Sequence, residues 1–559
     1  MTTKENTFYL GLCMAGAISA GAYTAGVIDY LIEALDEWQK RKDAGDKNAP
    51  VHNVVIPVIG GASAGGMTGI ITAASIGRAI NHVKNPSQNL WDPIPGNKLY
   101  HTWVDLTSDN MLDVMLSDSD LKKYGLRSLL NSLFIDEVAT RVVIPGPGPQ
   151  LSRAYFSEDL KVFTTLSNLD GMTYSVNFLS NSQDLSRFII DTHSDFACFR
   201  MAKTDVEPGD KGWMPLNFEN NINARLAAEA AMATGAFPVG LSARRFSRKK
   251  EFINEHPWFE EIAGKGKNPF NLDPEHTFVD GGMINNEPFE KVRSELDKVS
   301  GQKSKAEKEK FETFRSTVLM VDPFPSEPDP VHDCEDKENS KEPKDPLKLT
   351  SVMGKTLGAL MNQARIKPST LAEALNERQA GQFLIAPVRY TDKDERIEGK
   401  FAIACGSLGG FGGFVSKDFR IHDFFLGRRN CEQFLRKYFT VPRDTDNPIF
   451  KNGYANVPDS QKDKLAHGKQ LPIIPLFTKA GEAKMPVFQN QSNWPSISRR
   501  RANNFKSGVR SRTHAILMST DFLNRPARWL VSRMYGSGKI ADMVMDTMIK
   551  SLDCHKLLR

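Results

Sequence analysis

The hydrophobic pattern near the start of the chain alternates between strand-like runs and helix-like spacing. Residues 8–14 (FYLGLCM) form an apolar run that predicts a buried strand, and apolar residues then recur at helical spacing over positions 22–38. Residues 54–59 (VVIPVI) are β-branched and apolar, which is typical of a strand buried on both faces. This run leads into GGASAGG and a second helical segment. Strand, glycine turn, helix and strand again predict an α/β domain.

Later apolar runs predict further strands of the same sheet, at residues 161–166, 174–178, 317–321 and 383–388. The segment 322–346 is rich in Pro, Asp, Glu and Lys and predicts an exposed insertion. After about residue 439 the chain carries loop signals and basic clusters. We therefore expect one domain over 1–440, interrupted near 322–346, and a basic C-terminal extension over 441–559 that is helical near its end.

The end of the chain has an amphipathic pattern over residues 534–558, broken at the glycines of positions 536–538. One interpretation is a pair of helices packed on the main domain, which is the usual origin of an amphipathic helix. The other is a helix on a membrane surface, with Arg525, Arg528 and Arg533 facing lipid headgroups. The pattern alone favours the packed helix.

Composition and cysteine spacing exclude several classes of protein. The 559 residues are 40% hydrophobic and 25% charged, as in an ordinary globular protein of two or three domains or one large one. The six cysteines are far apart without a C-x-x-C pair, so we expect neither a metal site nor a disulfide framework. The first residues lack a signal-peptide pattern, and the apolar stretch 11–32 has too many glycines and polar residues for a membrane span. The sequence thus predicts a cytoplasmic protein.

Positive charge is concentrated at the C-terminus. The formal net charge is only +5, but residues 499–559 contain thirteen Lys and Arg against four Asp and Glu. Such a segment is either a solvated basic surface or a site of attraction to an anionic membrane or to nucleic acid. Because no nucleic-acid-binding motif accompanies these charges, nucleic acid is not an expected partner.

The segment Gly61-Ala62-Ser63-Ala64-Gly65 is the strongest candidate for chemistry. A G-x-S-x-G pattern marks a nucleophilic serine when a strand delivers it to a sharp turn and a helix leaves at once. Both conditions are predicted here, and the flanking residues are small. The helix N-terminus would offer amide groups and a positive dipole end to a developing negative charge. We therefore predict that Ser63 is a nucleophile rather than a serine in a structural glycine turn.

A nucleophilic serine needs a base and an oxyanion hole. Asp280, in TFVDGG, follows an apolar run and precedes two glycines that permit a tight turn toward another loop. Among the histidines, His422 in RIHDFF is the best candidate for a triad, although a structural role is more typical of such a position. The turn Gly16-Ala17-Ile18-Ser19-Ala20-Gly21 after the first strand can supply backbone amides, and it matches neither a P-loop nor a dinucleotide motif.

With these segments the chain resembles the patatin-like phospholipases, in particular bacterial members with an extended C-terminal region. That family has a glycine-rich oxyanion loop, a G-x-S-x-G elbow and a D-G-G/A motif, and it uses a Ser–Asp dyad. The elbow matches at Gly61, Ser63 and Gly65, and the dyad acid matches at Asp280. Residues 230–238 (AAMATGAFP) are similar to a small-residue segment near the family's site, and residues 401–439 resemble a segment of some bacterial members. The match covers roughly residues 8–325.

The oxyanion loop departs from the family's usual Gly-Gly-Gly-x-Arg-Gly. It matches at Gly16 and Gly21, but Ala17 and Ile18 replace two glycines and Ala20 replaces the arginine. An oxyanion hole uses backbone donors, so the amides of Gly16, Ala17 and Ile18 stay the candidates. A β-branched residue such as Ile18 is not expected at positive φ.

The resemblance implies a fold and an activity. The implied fold is a three-layer α/β sandwich with a central, mostly parallel sheet, plus a largely helical C-terminal extension. The implied activity is that of a lipid acyl hydrolase of phospholipase A or lysophospholipase type, which cleaves carboxylic esters of glycerophospholipids through an acyl-enzyme, without metal or cofactor. A lipid ester substrate and peripheral membrane contact are the expected partners, and a protein regulator is compatible with the extension. The altered loop leaves an alternative, a weakened or inactive member that binds lipid or protein.

Overall fold

A computed structural model describes most of the chain. The described residues are 6–85, 96–177, 187–205, 211–264, 273–302, 310, 312–325, 382–391, 393–478, 481–520 and 537–559. The strands are β1 (Thr7–Met14), β2 (Asn53–Gly61), β3 (Phe156–Asn177), β4 (Arg187–Met201), β5 (Met214–Leu216), β6 (Arg244–Ser247), β7 (Glu275–Asp280), β8 (Ser316–Val321), β9 (Gln382–Ile385), β10 (Val388–Tyr390), β11 (Arg396–Glu398), β12 (Thr440–Pro442) and β13 (Gln470–Pro472).

Helices cover both faces of the sheet and dominate the C-terminal part. They are α1 (Gly21–Asp43), α2 (Ser63–Ser75), α3 (Lys98–Tyr100), α4 (Met111–Met115), α5 (Ser119–Tyr124), α6 (Leu133–Val143), α7 (Ala224–Thr234), α8 (Lys250–Asn254), α9 (Phe259–Ala263), α10 (Phe289–Ser300), α11 (Gly412–Val415), α12 (Lys417–Lys437), α13 (Pro448–Gly453), α14 (Asp459–Leu465), α15 (Arg499–Ser519) and α16 (Ser537–Cys554). Short 3₁₀ turns lie at Ile18–Ala20, Gly281–Met283, Gly399–Phe401 and Ala404–Gly410, and a π-helix lies at His101–Asp105.

The central sheet is mixed, with mostly parallel strands in its middle. In the described part of the chain its order is β5-β4-β3-β2-β1-β8-β9, with β7 paired to β3 and β6 paired to β7. The strands β3, β2, β1, β8 and β9 are parallel to one another, whereas β4 and β7 run antiparallel to β3. Apolar runs with both faces covered suit such parallel strands. The predicted α/β fold with a central, mostly parallel sheet and a largely helical C-terminal part is confirmed.

One prediction about the sheet is wrong in detail. Two separate strands were expected at 161–166 and 174–178, but both belong to the single strand β3, with position 178 outside the described residues. Its pairing with β4 shifts between Ser167 and Met172, where Gly171 has φ +75°. The side chain of Asn168 accepts the amide protons of Asp170 and Gly171 at 3.1 Å, which stabilises an irregularity inside one strand.

The C-terminal extension packs against the sheet. The ring of Phe8 on β1 packs edge-on against the ring of Phe439, with centroids 6.3 Å apart. It also packs against the ring of Phe450, with centroids 5.5 Å apart. Residues from both sides of position 440 therefore share one hydrophobic core. The separate unit at 441–559 stays a prediction.

Helix α16 supports the packed interpretation of the chain's end. It buries Ala541, Met545, Met548 and Leu552, while Arg525, Arg528 and Arg533 lie outside the described residues. Among the described helices, none combines the length and the apolarity that crossing a membrane requires. Cys554 is disulfide-bonded, which the cysteine spacing did not predict, whereas Cys13, Cys198, Cys405 and Cys431 are free thiols.

Helices α1 and α12 cross at very short distance through two glycines. A Cβ added to Gly26 would lie 1.9 Å from the carbonyl oxygen of Phe424, and one added to Gly427 would lie 2.1 Å from that of Tyr23. An ion pair beside the crossing joins Arg428 to the fully buried Asp29. Burial alone would raise the pKa of Asp29, but His82 and Arg428 hold this pKa below its ordinary value. The crossing thus ties residues 417–437 to the N-terminal half of the chain.

Replacing Gly26 by alanine should destabilise the fold, because the new methyl group meets backbone atoms that cannot rotate away. We expect Gly26→Ala to lower the free energy of unfolding by about 1–3 kcal/mol or more, measured as a lower midpoint in urea denaturation. The matched control is Gly538→Ala, since nothing lies within 4 Å of a Cβ at Gly538 in α16. Equal midpoints for the two variants would contradict the close crossing.

Candidate active site

Ser63 lies in a sharp turn between β2 and α2. The preceding Ala62 is extended, and Ser63 has φ +49°, an uncommon value for a residue with a side chain. Close packing around the turn requires small residues, since a Cβ at Gly65 would lie 2.2 Å from the carbonyl oxygen of Met14. The turn projects the Ser63 side chain away from the strand at the first residue of the helix, as a nucleophile elbow does.

Asp280 is the hydrogen-bond acceptor of Ser63. The last residue of β7, it receives the Ser63 Oγ proton on Oδ2 at 2.7 Å, and its Oδ1 accepts the amide proton of Gly282 at 2.7 Å. Its backbone is fixed on both sides, because its amide donates to Ala236 and its carbonyl accepts from the Ser167 hydroxyl. Ser63 and Asp280 are each only 5% exposed. The structure thus brings together the two residues that were predicted from distant parts of the chain.

Thr234, at the end of α7, is a site residue that the sequence did not single out. Its Oγ1 accepts the amide proton of Ser63 at 2.8 Å. This bond fixes the strained backbone of Ser63 and leaves the Ser63 amide with an acceptor inside the protein. The small-residue segment 230–238 was the signal for this region, but nothing in the pattern distinguished Thr234 within it.

The loop Gly16-Ala17-Ile18 lies directly against Ser63. A Cβ at Gly16 would lie 2.4 Å from Asn286 Oδ1 and 2.9 Å from Ser63 Cβ, so only glycine fits at this position. Among the described residues, no acceptor is found for the amides of Gly16, Ala17 and Ile18. The described fold therefore does not use these three amide protons, and they stay the candidate donors of an oxyanion hole.

Ile18 overturns the expectation that a β-branched residue avoids positive φ. It has φ +48°, at the start of the 3₁₀ turn Ile18–Ala20. The conformation is held by packing, since Ile18 belongs to the apolar cluster beside the site, and a Cβ at Gly410 would lie 3.2 Å from Ile18 Cδ1. The surrounding contacts hold the strained backbone of Ile18 in place, as is common at functional sites.

A narrow, mostly apolar pocket opens from Ser63 and Asp280. Its water-accessible volume is about 60 Å³, well below the 300–1,000 Å³ that is typical of ligand sites. The large apolar side chains come from six segments of the chain and are Ile18, Met67, Trp103, Leu106, Phe134, Ile135, Val138, Phe237, Leu241 and Phe414. Such a lining suits a hydrocarbon chain better than a charged substrate, and the pocket must widen to take one.

Comparisons with known proteins show the family of this chain. The family model for patatin-like phospholipases matches residues 12–293. The chain belongs to the patatin-like phospholipase family. It is 31% identical over 540 residues to the uncharacterized protein y4iI of Sinorhizobium fredii (strain NBRC 101917 / NGR234), covering 86% of this chain and 72% of that protein. A solved structure, VipD from Legionella pneumophila, aligns over 98% of this chain and 91% of its own, with 10% identity and a TM-score of 0.22.

The patatin-like match ends before a segment that contacts the candidate oxyanion loop. Ser19 Oγ donates to the carbonyl of Gly410 at 2.5 Å and accepts the amide proton of Gly413 at 3.0 Å. We call this pair of bonds the Ser19 clamp. Residues 401–439 were assigned no chemistry from the sequence, so their place beside the site is a finding of the structure.

Arg420 on α12 also lies at the pocket wall and is fully buried. Its guanidinium donates to the carbonyls of Val104, Gly413 and Ser108 at 2.8, 2.6 and 3.1 Å. Burial lowers the pKa of Arg420 to about 10. The residue thus joins α12 to the π-helix and the Ser19 clamp, and so shapes the pocket from outside the family match.

His422 is placed in a structural setting. Its Nδ1 lies 2.7 Å from Asp423 Oδ1, and its ring stacks edge-on against Trp494 at 4.8 Å. Burial lowers the pKa of His422. It is not one of the residues that line the pocket. The geometry therefore favours the Ser63–Asp280 pair over a triad that includes His422.

One group of metal-type ligands exists in the described part of the chain. Ligand atoms of Asp29, Glu33 and His82 lie within 4.8 Å of one another. Arg428 forms ion pairs with both carboxylates, and Lys84 also pairs with Glu33. The cluster is thus a charge-balanced ion-pair network at the α1–α12 crossing rather than a site with carboxylates left for a cation.

Removing the Ser19 hydroxyl should loosen the loop beside Ser63. In Ser19→Ala the Gly413 amide loses its acceptor, so we expect the amides of Gly413 and Ala20 to exchange with deuterium about 5–30-fold faster, corresponding to one or two kcal/mol. Ser75→Ala is the control, because it removes a hydroxyl that bonds only within α2, to Ile71. Unchanged exchange in Ser19→Ala would show that the clamp does not hold the loop.

Proposed function

We propose that the protein is a serine lipid acyl hydrolase of phospholipase A or lysophospholipase type that cleaves carboxylic esters of glycerophospholipids. The observation that carries the proposal is the 2.7 Å hydrogen bond from Ser63 Oγ to Asp280 Oδ2 at the base of an apolar pocket. Membership of the patatin-like family supports a lipid ester as the substrate class. Contact with a membrane surface follows from such a substrate and is part of the proposal.

In the proposed first step, Asp280 accepts the Ser63 proton while Ser63 Oγ attacks the ester carbonyl. The amides of Gly16, Ala17 and Ile18, with help from Ala64 at the start of α2, hold the negative charge on the carbonyl oxygen. Asp280 then returns the proton to the departing lipid alcohol as the ester C–O bond breaks. The product of this step is an acyl-enzyme on Ser63.

In the second step, Asp280 takes a proton from water, and the hydroxyl attacks the acyl carbonyl. The same amides hold the oxyanion, and the proton passes back to Ser63 Oγ as the fatty acid leaves. A carboxylate in water is a weak base. Asp280 is only 5% exposed, so little water competes with Ser63 for its Oδ2.

A second candidate function rests on the altered oxyanion loop. Ile18 holds a strained φ of +48°, and the pocket is narrow. A member with this loop that binds a lipid or a protein without hydrolysis is compatible with the same fold. The two candidates differ in whether Ser63 reacts with an electrophile.

The dyad is tested by its removal. We expect Ser63→Ala and Asp280→Asn to lower the release of fatty acid from phospholipid vesicles by about 10⁴-fold or more, since members of a catalytic unit fail together. Asp273→Asn is the control, a change of the same chemistry at an exposed residue just before β7. Wild-type turnover in either dyad variant would refute this mechanism.

Covalent labelling separates the remaining candidates. A fluorophosphonate probe should label Ser63 in the wild type, as located by peptide mass spectrometry, because the dyad makes its Oγ nucleophilic. His422→Gln should label at the wild-type rate, since His422 lies outside the pocket. No labelling of the folded wild type would favour the binding function, and loss of labelling in His422→Gln would favour a triad.

A further inference from the structure

Exposed apolar side chains lie on or next to a segment that lines the pocket. Leu129 and Val239 are 46% and 71% exposed. They are joined through the backbone, since the Leu129 amide donates to the Val239 carbonyl at 2.8 Å. Their chain neighbours face inward: Leu130 packs in the apolar cluster beside the site, and Leu241 lines the pocket. Leu129 and Val239 therefore mark the outer side of the pocket wall.

The segment before Leu129 adds an aromatic residue and cations. Residues 122–127 are all exposed, and they include Tyr124 and Leu126. Lys123 Nζ and Arg127 Cζ each lie 4.9 Å from the centre of the Tyr124 ring. Within the described part of the chain, neither cation has a carboxylate within ion-pair distance.

The acidic side chains close to this segment are already paired. Asp118 binds Lys122 at 3.0 Å, and Asp120 is buried against Arg512. Asp136 on α6 binds Arg244 at 2.6 Å. The charge that the segment presents to an approaching surface is therefore positive and comes from Lys123 and Arg127.

Val239 is strained as well as exposed. It is β-branched and has φ +66°, a conformation that is unfavourable for such a residue. The strain is not offset by burial, because the side chain is the most exposed of the large apolar residues described. An asparagine would fit this backbone better and would be more soluble. A strained, exposed valine is a feature that stability alone does not explain.

We propose that these residues form a docking rim for an anionic membrane surface, with Tyr124, Leu126, Leu129 and Val239 entering the headgroup region and Lys123 and Arg127 binding lipid phosphates. Apolar side chains flanked by basic residues have the chemistry of interfacial membrane binding, and an aromatic ring with a polar tip suits the boundary. The rim places the pocket against the lipid. The proposal deepens the proposed function, but binding at the rim does not require the dyad.

The test measures binding separately from hydrolysis by using Ser63→Ala throughout. This protein is sedimented with vesicles of phosphatidylcholine alone and with vesicles of phosphatidylcholine and phosphatidylglycerol in equal parts. We expect tighter binding to the anionic vesicles. Adding Leu126→Asn, Leu129→Asn and Val239→Asn should weaken binding to both vesicle types by about tenfold or more. Adding Lys123→Gln and Arg127→Gln should weaken binding by about tenfold to the anionic vesicles only.

The control variants make the same kinds of substitution at exposed residues outside the rim. Ile189→Asn changes an apolar residue that is 59% exposed on β4, and Lys464→Gln with Lys469→Gln removes two exposed cations near β13. Both should leave vesicle binding unchanged. With Ser63 intact, the rim variants should keep wild-type hydrolysis of a water-soluble short-chain ester, which shows that they are folded.

Three outcomes would overturn the docking rim. These are no binding of the Ser63→Ala protein to either vesicle, unchanged binding by the rim variants, and equal loss in the control variants. A rim that instead changed self-association in size-exclusion chromatography would mark a protein interface. Because these readouts do not use the dyad, failure of the rim and failure of the proposed hydrolysis are distinguishable.

Discussion

The hydrogen bond between Ser63 and Asp280 depends on two backbone segments that are 217 positions apart in the chain and 2.7 Å apart at their side chains. β2 pairs with β3 in parallel and β7 pairs with β3 antiparallel. These pairings bring the last residues of β2 and β7 close together, beside Thr164 and Leu166 of β3. Ser167 on β3 then anchors the Asp280 carbonyl, and Thr234 anchors the Ser63 amide. The backbones of Ser63 and Asp280 are thus each fixed by a hydrogen bond that leaves Ser63 Oγ and Asp280 Oδ2 to bond with each other. This is the form of support that a preorganised site needs.

Two residues that line the pocket have a strained backbone. Ser63 and Ile18 have φ of +49° and +48°, each at a cost of order 1–3 kcal/mol. Residues 404–420 supply packing that offsets this cost, through the Ser19 clamp, the close approach of Gly410 to Ile18, and the buried Arg420. A loop with three glycines would need less of this support. The substitution of Ile18 for glycine and the attachment of α12 by the Gly26–Gly427 crossing are therefore two parts of one arrangement.

Sequence reasoning reached the parts of the site that leave a local pattern. The apolar runs and glycine turn predicted β1, β2 and the helix at Ser63, and an acid before two glycines marked Asp280 at the end of β7. What it missed has no local signal. The clamp joins Ser19 to positions almost 400 residues later, Thr234 is one small polar residue in an alanine-rich helix, and the apolar pocket wall is assembled from six segments. Such contacts depend on how elements pack in three dimensions, and one sequence carries no direct record of that packing. The φ of Ile18 was predicted wrongly for the same reason, because the contacts that hold it are distant in sequence.

The narrow pocket and the docking rim are linked through shared backbone. Phe237 and Leu241 line the pocket, and the exposed Val239 lies between them, while Leu129 and Leu130 face outward and inward on the partner segment. In water, apolar pocket-lining side chains stay against the cluster because turning outward would expose them. A bilayer at the rim removes that penalty, so if the rim docks as proposed, the open pocket is more stable on a membrane than in solution. Two conformations with different affinity for one surface are shifted by that surface toward the one that it binds better. An acyl chain could then pass from the bilayer into the pocket without crossing water, and the closed pocket would keep water away from the Ser63–Asp280 pair when no membrane is present.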